Sequence, residues 1–331
     1  MCGGCAPKTG NAGSDANDVN DGAAEDTVDG MGGGVAAADN IVDGESSAET
    51  SEETQEAESL AFLFFSDTQA DPETGDYSAL GELLVGALSY DDSVHLCVFG
   101  GDSVNDGGDD DEWFAFLEAA RPVFERCGTA SVAGNHDGHA SLAQWFDCPG
   151  VKPESIGEGW FYSLRAGPVF LVMLDSNIMG AANQRDIDWL RNELQSEYAL
   201  RANWRVAVMH HPMWPAASIP RDIMRAETMR EFFLPVLEEY GVELILCGHQ
   251  HVYSRSAPMR GDDAAVDGQG IVQIMAASGD KASYALSESG YIVASASAPC
   301  YLHLLADGET ITITSFNAGH EEIDSITIRK A

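Results

Sequence analysis

Five short apolar runs in this chain each break off into glycine, aspartate, asparagine or histidine, and that repetition limits the fold more than any other feature. Leu60–Phe65 runs into Ser66-Asp67-Thr68-Gln69, and Val94–Phe99 into Gly100-Gly101-Asp102-Ser103-Val104-Asn105. Ala130–Ala133 ends in Gly134-Asn135-His136-Asp137, Arg205–Met209 in His210-His211-Pro212, and Val242–Cys247 in Gly248-His249-Gln250-His251. Apolar runs of about four to eight residues bounded by turn formers read as buried strands. In open α/β sheets, functional residues collect at the carboxyl ends of strands. A single Asp there is a turn former or a helix cap, and a lone His-x-His means as little. Five such ends in succession, with glycines that let backbones approach closely, point to one site.

Two further strand-like runs, Val169–Leu174 and Ile271–Ala276, complete a series interleaved with stretches of helical period. Helices are expected over Tyr77–Tyr90, Glu112–Cys127, Gln184–Tyr198 and Met224–Tyr240. In the second of these Trp113, Phe116, Leu117 and Ala120 share one face and read as core packing. Its acidic prefix Asp109–Asp111 suits a helix N-terminus, and Pro122 predicts a kink or break. The last 40 residues or so change character: Tyr301–Leu305, Thr310–Phe316 and Ile323–Arg329 read as antiparallel strands, with Asp307-Gly308 as a hairpin turn. Strand–helix alternation followed by a β-rich tail predicts an α/β sandwich with two packed sheets.

Domain limits come from where aromatic residues begin. Residues 1–58 contain no Phe, Trp or Tyr, and carry 14 acidic residues against one Lys. Such a stretch cannot bury enough apolar surface to offset its ordering entropy. We therefore expect a disordered acidic tether over 1–57 and one domain over 58–331. The start Met1-Cys2-Gly3-Gly4-Cys5 resembles a mature lipoprotein whose Cys2 carries the lipid, which would make the protein extracytoplasmic at the cell surface. The alternatives are an exposed free Cys pair or a weak metal-binding Cys-x-x-Cys. Cys97 and Cys247 lie inside apolar runs and read as core residues; Cys127 and Cys148 flank a motif loop and are the plausible pair. With a net charge of −37 the chain is a poor partner for a nucleic-acid backbone or an anionic membrane surface, leaving a lipid at Cys2 as the one expected membrane contact. Bound metal ions reverse the local field, so an acidic protein can still take a phosphorylated substrate.

Asp, Asn and His together suit Mn, Fe, Co, Ni or Zn better than Ca or Mg alone. A central carboxylate can bridge two such ions about 3.5–4 Å apart, the arrangement that two-metal hydrolysis requires.

These blocks resemble those of the calcineurin-like metallophosphoesterases over nearly all of 58–331. They are most similar to the purple acid phosphatase-like branch, on Gly248-His249-Gln250-His251-Val252-Tyr253-Ser254-Arg255, Trp160-Phe161-Tyr162-Ser163 and Leu174-Asp175-Ser176-Asn177. The resemblance implies a four-layer α/β/β/α sandwich of two mixed sheets flanked by helices. It implies that Asp67, Asp102 and His251 hold one divalent or trivalent ion, and that Asp102, Asn135, His210 and His249 hold the other, with Asp102 bridging. His136 would protonate the leaving group or bind phosphate, while a hydroxide shared by the ions attacks phosphorus. His211 would lie behind the ligands or face substrate. Asp137 and Asp175 are expected to orient ligand histidines or to stabilise turns. Arg221, Arg225 and Arg255 are candidate phosphate contacts, with a surface ion pair the favoured reading for the first two; His95, His139, His303 and His320 match no motif.

Two positions depart from the family pattern. Gln69 stands where most of the superfamily has a ligand His and is expected to join Asp67, Asp102 and His251 as a weaker amide-oxygen ligand, and Asn105 stands where true purple acid phosphatases have a ligand Tyr. The expected activity is hydrolysis of a small phosphate monoester. A phosphodiesterase or nucleotidase would use the same residues, and an inactive surface-binding lipoprotein is the reading from a different class.

Overall fold

In the computed structural model, which describes residues 59–146, 159–177 and 184–330, the apolar runs are strands whose side chains sort onto two faces. Strand β5 (Val169–Leu174) is buried at every position. Successive strand residues point to opposite faces, so Val169, Leu171 and Met173 join one buried cluster while Phe170, Val172 and Leu174 join another. The first cluster also takes Phe62, Phe64, Val98 and Leu304 from a second sheet. The other takes Leu190, Leu194, Met229, Leu234 and Leu237 from helices. A strand covered on both sides has no face left for polar residues, which is why the run reads apolar throughout.

One sheet has six strands. β1 (Leu60–Phe65), β2 (Val94–Phe99) and β3 (Gly128–Ser131) are parallel, and β13 (Cys300–Ala306), β14 (Thr310–Asn317) and β15 (Glu322–Arg329) extend it antiparallel in the order β15-β14-β13-β1-β2-β3. The other has seven strands. Its centre is parallel: β5, β6 (Trp204–Met209), β7 (Leu244–Cys247) and β11 (Val272–Met275). Antiparallel β4 (Tyr162–Ala166) closes one edge, while β8 (Val252–Ser256) and β12 (Ile292–Ser297) close the other; β9 (Met259–Arg260) and β10 (Asp263–Ala264) form a separate pair, and a short helix α3 (His139–Trp145) follows β3. Helices α1 (Ser78–Tyr90) and α2 (Asp110–Arg126) place Leu84, Trp113 and Phe116 in the first cluster. Helices α4 (Gln184–Leu194), α6 (Pro220–Phe232) and α7 (Leu234–Glu239) line the second. The molecule is thus the four-layer α/β/β/α sandwich that the motifs implied. No described helix is long and apolar enough to cross a membrane.

The register of the parallel strands decides where the motifs go. Phe65 pairs with Phe99 and Phe99 with Ser131, so β1, β2 and β3 end side by side. Met209 likewise pairs with Leu174, and Val208 with Leu246.

Two predicted helices are each two shorter ones. The Gln184–Tyr198 stretch ends at Leu194, and a new helix α5 (Glu197–Arg201) starts where the Ser196 hydroxyl accepts the N–H of Ala199. The Met224–Tyr240 stretch begins earlier, at Pro220, and breaks at Phe233 just ahead of Pro235. Pro is tolerated in the first turn of a helix, so both α6 and α7 open on one. Pro122, by contrast, breaks nothing: α2 continues through it. Asp109 caps that helix by accepting the N–H groups of Asp111 and Glu112. The tether, Cys2 and Cys148 lie outside the described residues. Cys127 is a buried free thiol that meets Cys97.

Candidate metal centre

Just past β1, β2 and β7 the chain turns by using backbone conformations that L-residues avoid. Asp67 (φ 47°), Asp102 (φ 55°), His249 (φ 78°) and His251 (φ 50°) are all left-handed. Among the described non-glycine residues only His320 shares this state. Such conformations cost on the order of 1–3 kcal/mol each and persist only where the surroundings enforce them. Here the enforcement is backbone bonding across loops: Asp67 N–H donates to Gly101 O and Gly248 N–H to His210 O. Neighbouring loops approach so closely that two glycines are obligatory. A Cβ on Gly134 would lie 2.1 Å from Asp102 N, and one on Gly248 would lie 2.0 Å from Asp67 Oδ2.

These turns gather Asp67, Asp102 and His210 into one buried cluster of ligand atoms, and His210, His211 and His249 into an adjoining one. Each expected ligand histidine commits one ring nitrogen to the protein and leaves the other free. His210 Nδ1 donates to Gly100 O (2.9 Å), and its buried Nε2, 3.1 Å from Asp102 Oδ2, makes no hydrogen bond. His251 Nδ1 donates to Ala282 O (3.0 Å), which leaves Nε2 beside Asp67 Oδ1 at 3.4 Å. His249 is reversed: Nε2 donates to Asp222 Oδ1 at 3.1 Å, so Nδ1 is the nitrogen available to an ion. Fixing the tautomer through the far nitrogen is how proteins aim metal-binding imidazoles. A buried His210 nitrogen that meets carboxylate oxygen without a well-formed hydrogen bond fits a cation site.

Charge in the cluster is strongly coupled. Burial opposes a charged His210, but Asp102 and Asp67 outweigh it and raise its imidazole to about 9. Burial likewise opposes the Asp102 carboxylate, yet His210 and then His136 hold it well below the ordinary range. Burial lowers His249 against the pull of Asp222, leaving it neutral as a ligand must be.

Asp102, Asn135, His136, His249 and His251 all line one cavity of about 340 Å³, together with Asp71, Glu73, Arg221, Lys281 and Tyr284. His136 donates its backbone N–H to Asp102 Oδ1 (2.8 Å) and pairs Nδ1 with Asn105 O (2.7 Å). Its Nε2 then faces Lys281 Nζ at 3.4 Å. Asn105, in the position of the absent tyrosine, bonds through its side chain to Ala70 O and Glu112 and so ties two motif loops together. Gln69 lies elsewhere. Fully buried, it lines a separate cavity of about 40 Å³ with Tyr77 and Ser278, and its amide atoms have no hydrogen-bond partner.

Among the surrounding residues, Asp137 and Asp175 take the turn-stabilising one of their two expected roles, and the arginines depart from expectation. Asp137 touches no ligand histidine; its carboxylate accepts the backbone N–H groups of Asp102, Ser103 and Gly134 (2.6–2.9 Å) and holds the bridging loop. Asp175 pairs with His139 at 2.7 Å and accepts from Trp160 and Asn177 N–H groups. Arg255 is turned from the cavity because residues two apart on a strand share a face. With Tyr253 it binds Asp324 of the opposite sheet, at 2.6 Å and 2.5 Å. Arg221 and Arg225, favoured as surface ion pairs, belong to the site region instead: Arg221 lines the cavity and Arg225 bonds to His211. His211 also pairs with the Ser176 hydroxyl at 2.9 Å, and burial first, then His210, keeps it neutral. Sequence reasoning missed Asp222, Lys281 and Tyr284. Asp222 had one available signal, an acidic residue two positions after a Pro that opens a helix.

The calcineurin-like phosphoesterase profile matches residues 60–253. Purple acid phosphatase 23 of Arabidopsis thaliana is 28% identical over 44% of this chain and 32% of its own length. The Fe(3+)-Zn(2+) purple acid phosphatase 12 of the same plant is 25% identical over 53% of this chain and 36% of its own. The chain therefore spans about a third of the length of these curated relatives. A purple acid phosphatase from yellow lupin has the same fold, with a TM-score of 0.68 at 14% identity, covering 82% of this chain and 54% of that one. The matched span runs from β1 into β8 and contains Asp67, Asp102, Asn135, His210, His249 and His251. On fold, on motif placement and on this match, the chain is a member of the calcineurin-like phosphoesterase family.

Proposed function

We propose that this protein hydrolyses phosphate monoesters of small molecules at a two-ion centre. The observation that carries the reading is the set of three histidines, each with one nitrogen tied to the protein and the other left for an ion beside Asp67 and Asp102. His251 with Asp67 and Asp102 suits one ion; His210, His249 and Asn135 with the shared Asp102 suit the second. Bound ions would act as Lewis acids that generate the nucleophile at neutral pH and offset charge on the phosphoryl oxygens. The donor chemistry favours Fe, Zn, Mn, Co or Ni.

The remaining work falls to the cavity walls. Asn105 O fixes His136 by its Nδ1–H, so Nε2 is the atom that can deliver a proton to the departing alkoxide. Lys281 Nζ beside that nitrogen can bind a phosphoryl oxygen. Asp137 keeps the Asp102 loop rigid through three backbone bonds, which holds the bridging carboxylate in place before substrate arrives.

Activity should disappear on chelation and return with Zn, Mn or Fe. Asp102→Asn should lose both ions and at least ~10³ in turnover, since it removes the carboxylate common to both positions. Metal content and p-nitrophenyl phosphate turnover test this together; near-normal values for both in the variant refute the shared-ligand assignment. Faster turnover of a diester than of the matching monoester would transfer the same centre to phosphodiester chemistry.

A further inference from the structure

About half of the basic residues of this acidic chain are neutralised by a carboxylate. Arg121, Arg126, Arg191, Arg201, Arg230, Arg255, Arg260 and Lys330 each pair with a carboxylate. Arg221 and Lys281 make no ion pair among the described residues, and both line the metal cavity. With 54 acidic residues against 17 basic ones, an unpaired cation at a cavity mouth marks a place where an anion is expected from outside.

The two cations stand beside different residues of the centre, Lys281 by His136 and Arg221 next in sequence to the His249 partner Asp222. Lys281 belongs to the connection between β11 and β12, which is anchored on the centre: Gly279 N–H donates to Asp67 O, Ala282 O accepts from His251, and Tyr284 N–H donates to Gln250 O. Lys281 stands 3.4 Å from His136 Nε2, where the reacting phosphoryl group must sit. Arg221 comes from the first turn of α6, next to Asp222, whose two oxygens are directed at His249 and Gln250 and make no ion pair with it. Polarity separates the two further. On the Lys281 side, Asp280 accepts the N–H of Asp71, and Asp71 and Glu73 form an acidic lip on the cavity. An anionic group leaving the phosphoryl position is repelled by that lip and drawn to the guanidinium. The cavity of about 340 Å³ has room for more than a phosphate.

Resting on the phosphomonoesterase reading, we propose that Arg221 is a second anion subsite and that preferred substrates are phosphate monoesters whose leaving group carries another carboxylate or phosphate. A guanidinium binds either by paired N–H···O bonds. Tyr284, whose ring centroid lies 6.1 Å from that of His249, lines the same cavity as Arg221.

The test compares propyl phosphate, phosphoglycolate and 1,3-propanediol bisphosphate on the metal-loaded protein and its Arg221→Gln variant. The expected result is a higher kcat/KM for one or both two-anion substrates, and a loss of that preference by about 10- to 100-fold in the variant. Which of the two gains the preference identifies the anion. An equal loss on all three compounds would assign Arg221 to the reacting phosphate and overturn the subsite; no loss on any would overturn it too. If neither protein hydrolyses any monoester, the catalytic reading fails on its own. Calorimetric binding of the same three compounds then decides the subsite: it stands if the variant weakens the two-anion ligands selectively, and falls otherwise.

Discussion

Asp222 decides which nitrogen His249 offers, because a carboxylate 3.1 Å from Nε2 keeps the proton there. Gln250 holds the other Asp222 oxygen at 2.8 Å, so the carboxylate cannot swing away. Asp222→Asn should weaken the ion at His210 and His249 by about 10- to 100-fold, the usual cost of losing such a partner. Zinc titration calorimetry would show one step weakened and the other kept; two unchanged steps would mean that Asp222 is only a helix residue. A second residue-scale prediction concerns pH. In the metal-free protein His210 is raised to about 9 from an ordinary 6.5, so its pairing with Asp102 stabilises fully below 6.5 and is lost as pH rises through 9. An ion must displace that proton, hence the melting-temperature gain on adding zinc should widen between pH 6.5 and 9. A constant gain across that window would remove His210 from the centre. Residues at this scale were readable in proportion to their local context. Asp67, Asp102 and His210 each follow an apolar run, which flags them. Asp222 and Arg221 sit in a helix's first turn, where charged residues are ordinary, and Lys281 sits in a loop with no period to mark it. Arg255 misled by standing close to His251 in sequence, although strand alternation turns it to Asp324.

Among elements, α2 is the one whose start the sequence states most directly. Asp109 adopts an extended conformation and accepts two N–H groups of the first turn, with Asp110, Asp111 and Glu112 adding favourable charge at the positive end of the helix dipole. Asp109→Ala should cost about 1 kcal/mol of stability, read as a shift of the urea midpoint without a change in slope. An unshifted midpoint would mean that the packing of Trp113 and Phe116 alone sets where α2 begins. The central strands β1, β2 and β5 were legible to the residue because continuous apolar runs have sharp ends. Strands β8 and β12 were not: β12 reads Ile-Val-Ala-Ser-Ala-Ser and alternates half-buried with exposed positions at a sheet edge, so its hydrophobic signal is weak. Helix breaks inside Gln184–Tyr198 and Met224–Tyr240 depended on Ser196 and Pro235, single residues that an average over many positions hides.

For the molecule as a whole, two layers of helix and two of sheet were implied by motif resemblance, while the alternation of strand and helix patterns with a β-rich tail supported two packed sheets. Register was beyond sequence reasoning, because only pairing shows that Phe65, Phe99 and Ser131 end together. Residues 1–57, free of aromatic side chains and strongly acidic, should be dispensable for the chemistry. Removing them should leave metal content, turnover and melting temperature almost unchanged, and a drop of several degrees would show that the segment packs on the domain. The two sheets contribute unlike halves of the centre: β1 and β2 end in the carboxylates, β6 and β7 in the imidazoles. Asp67 and His249 are separated by 182 residues of chain. During synthesis the carboxylates leave the ribosome long before their partners, and neither half by itself can capture an ion firmly. If the centre holds ions as proposed, loading must wait until translation has passed His251, when carboxylates and imidazoles are both available.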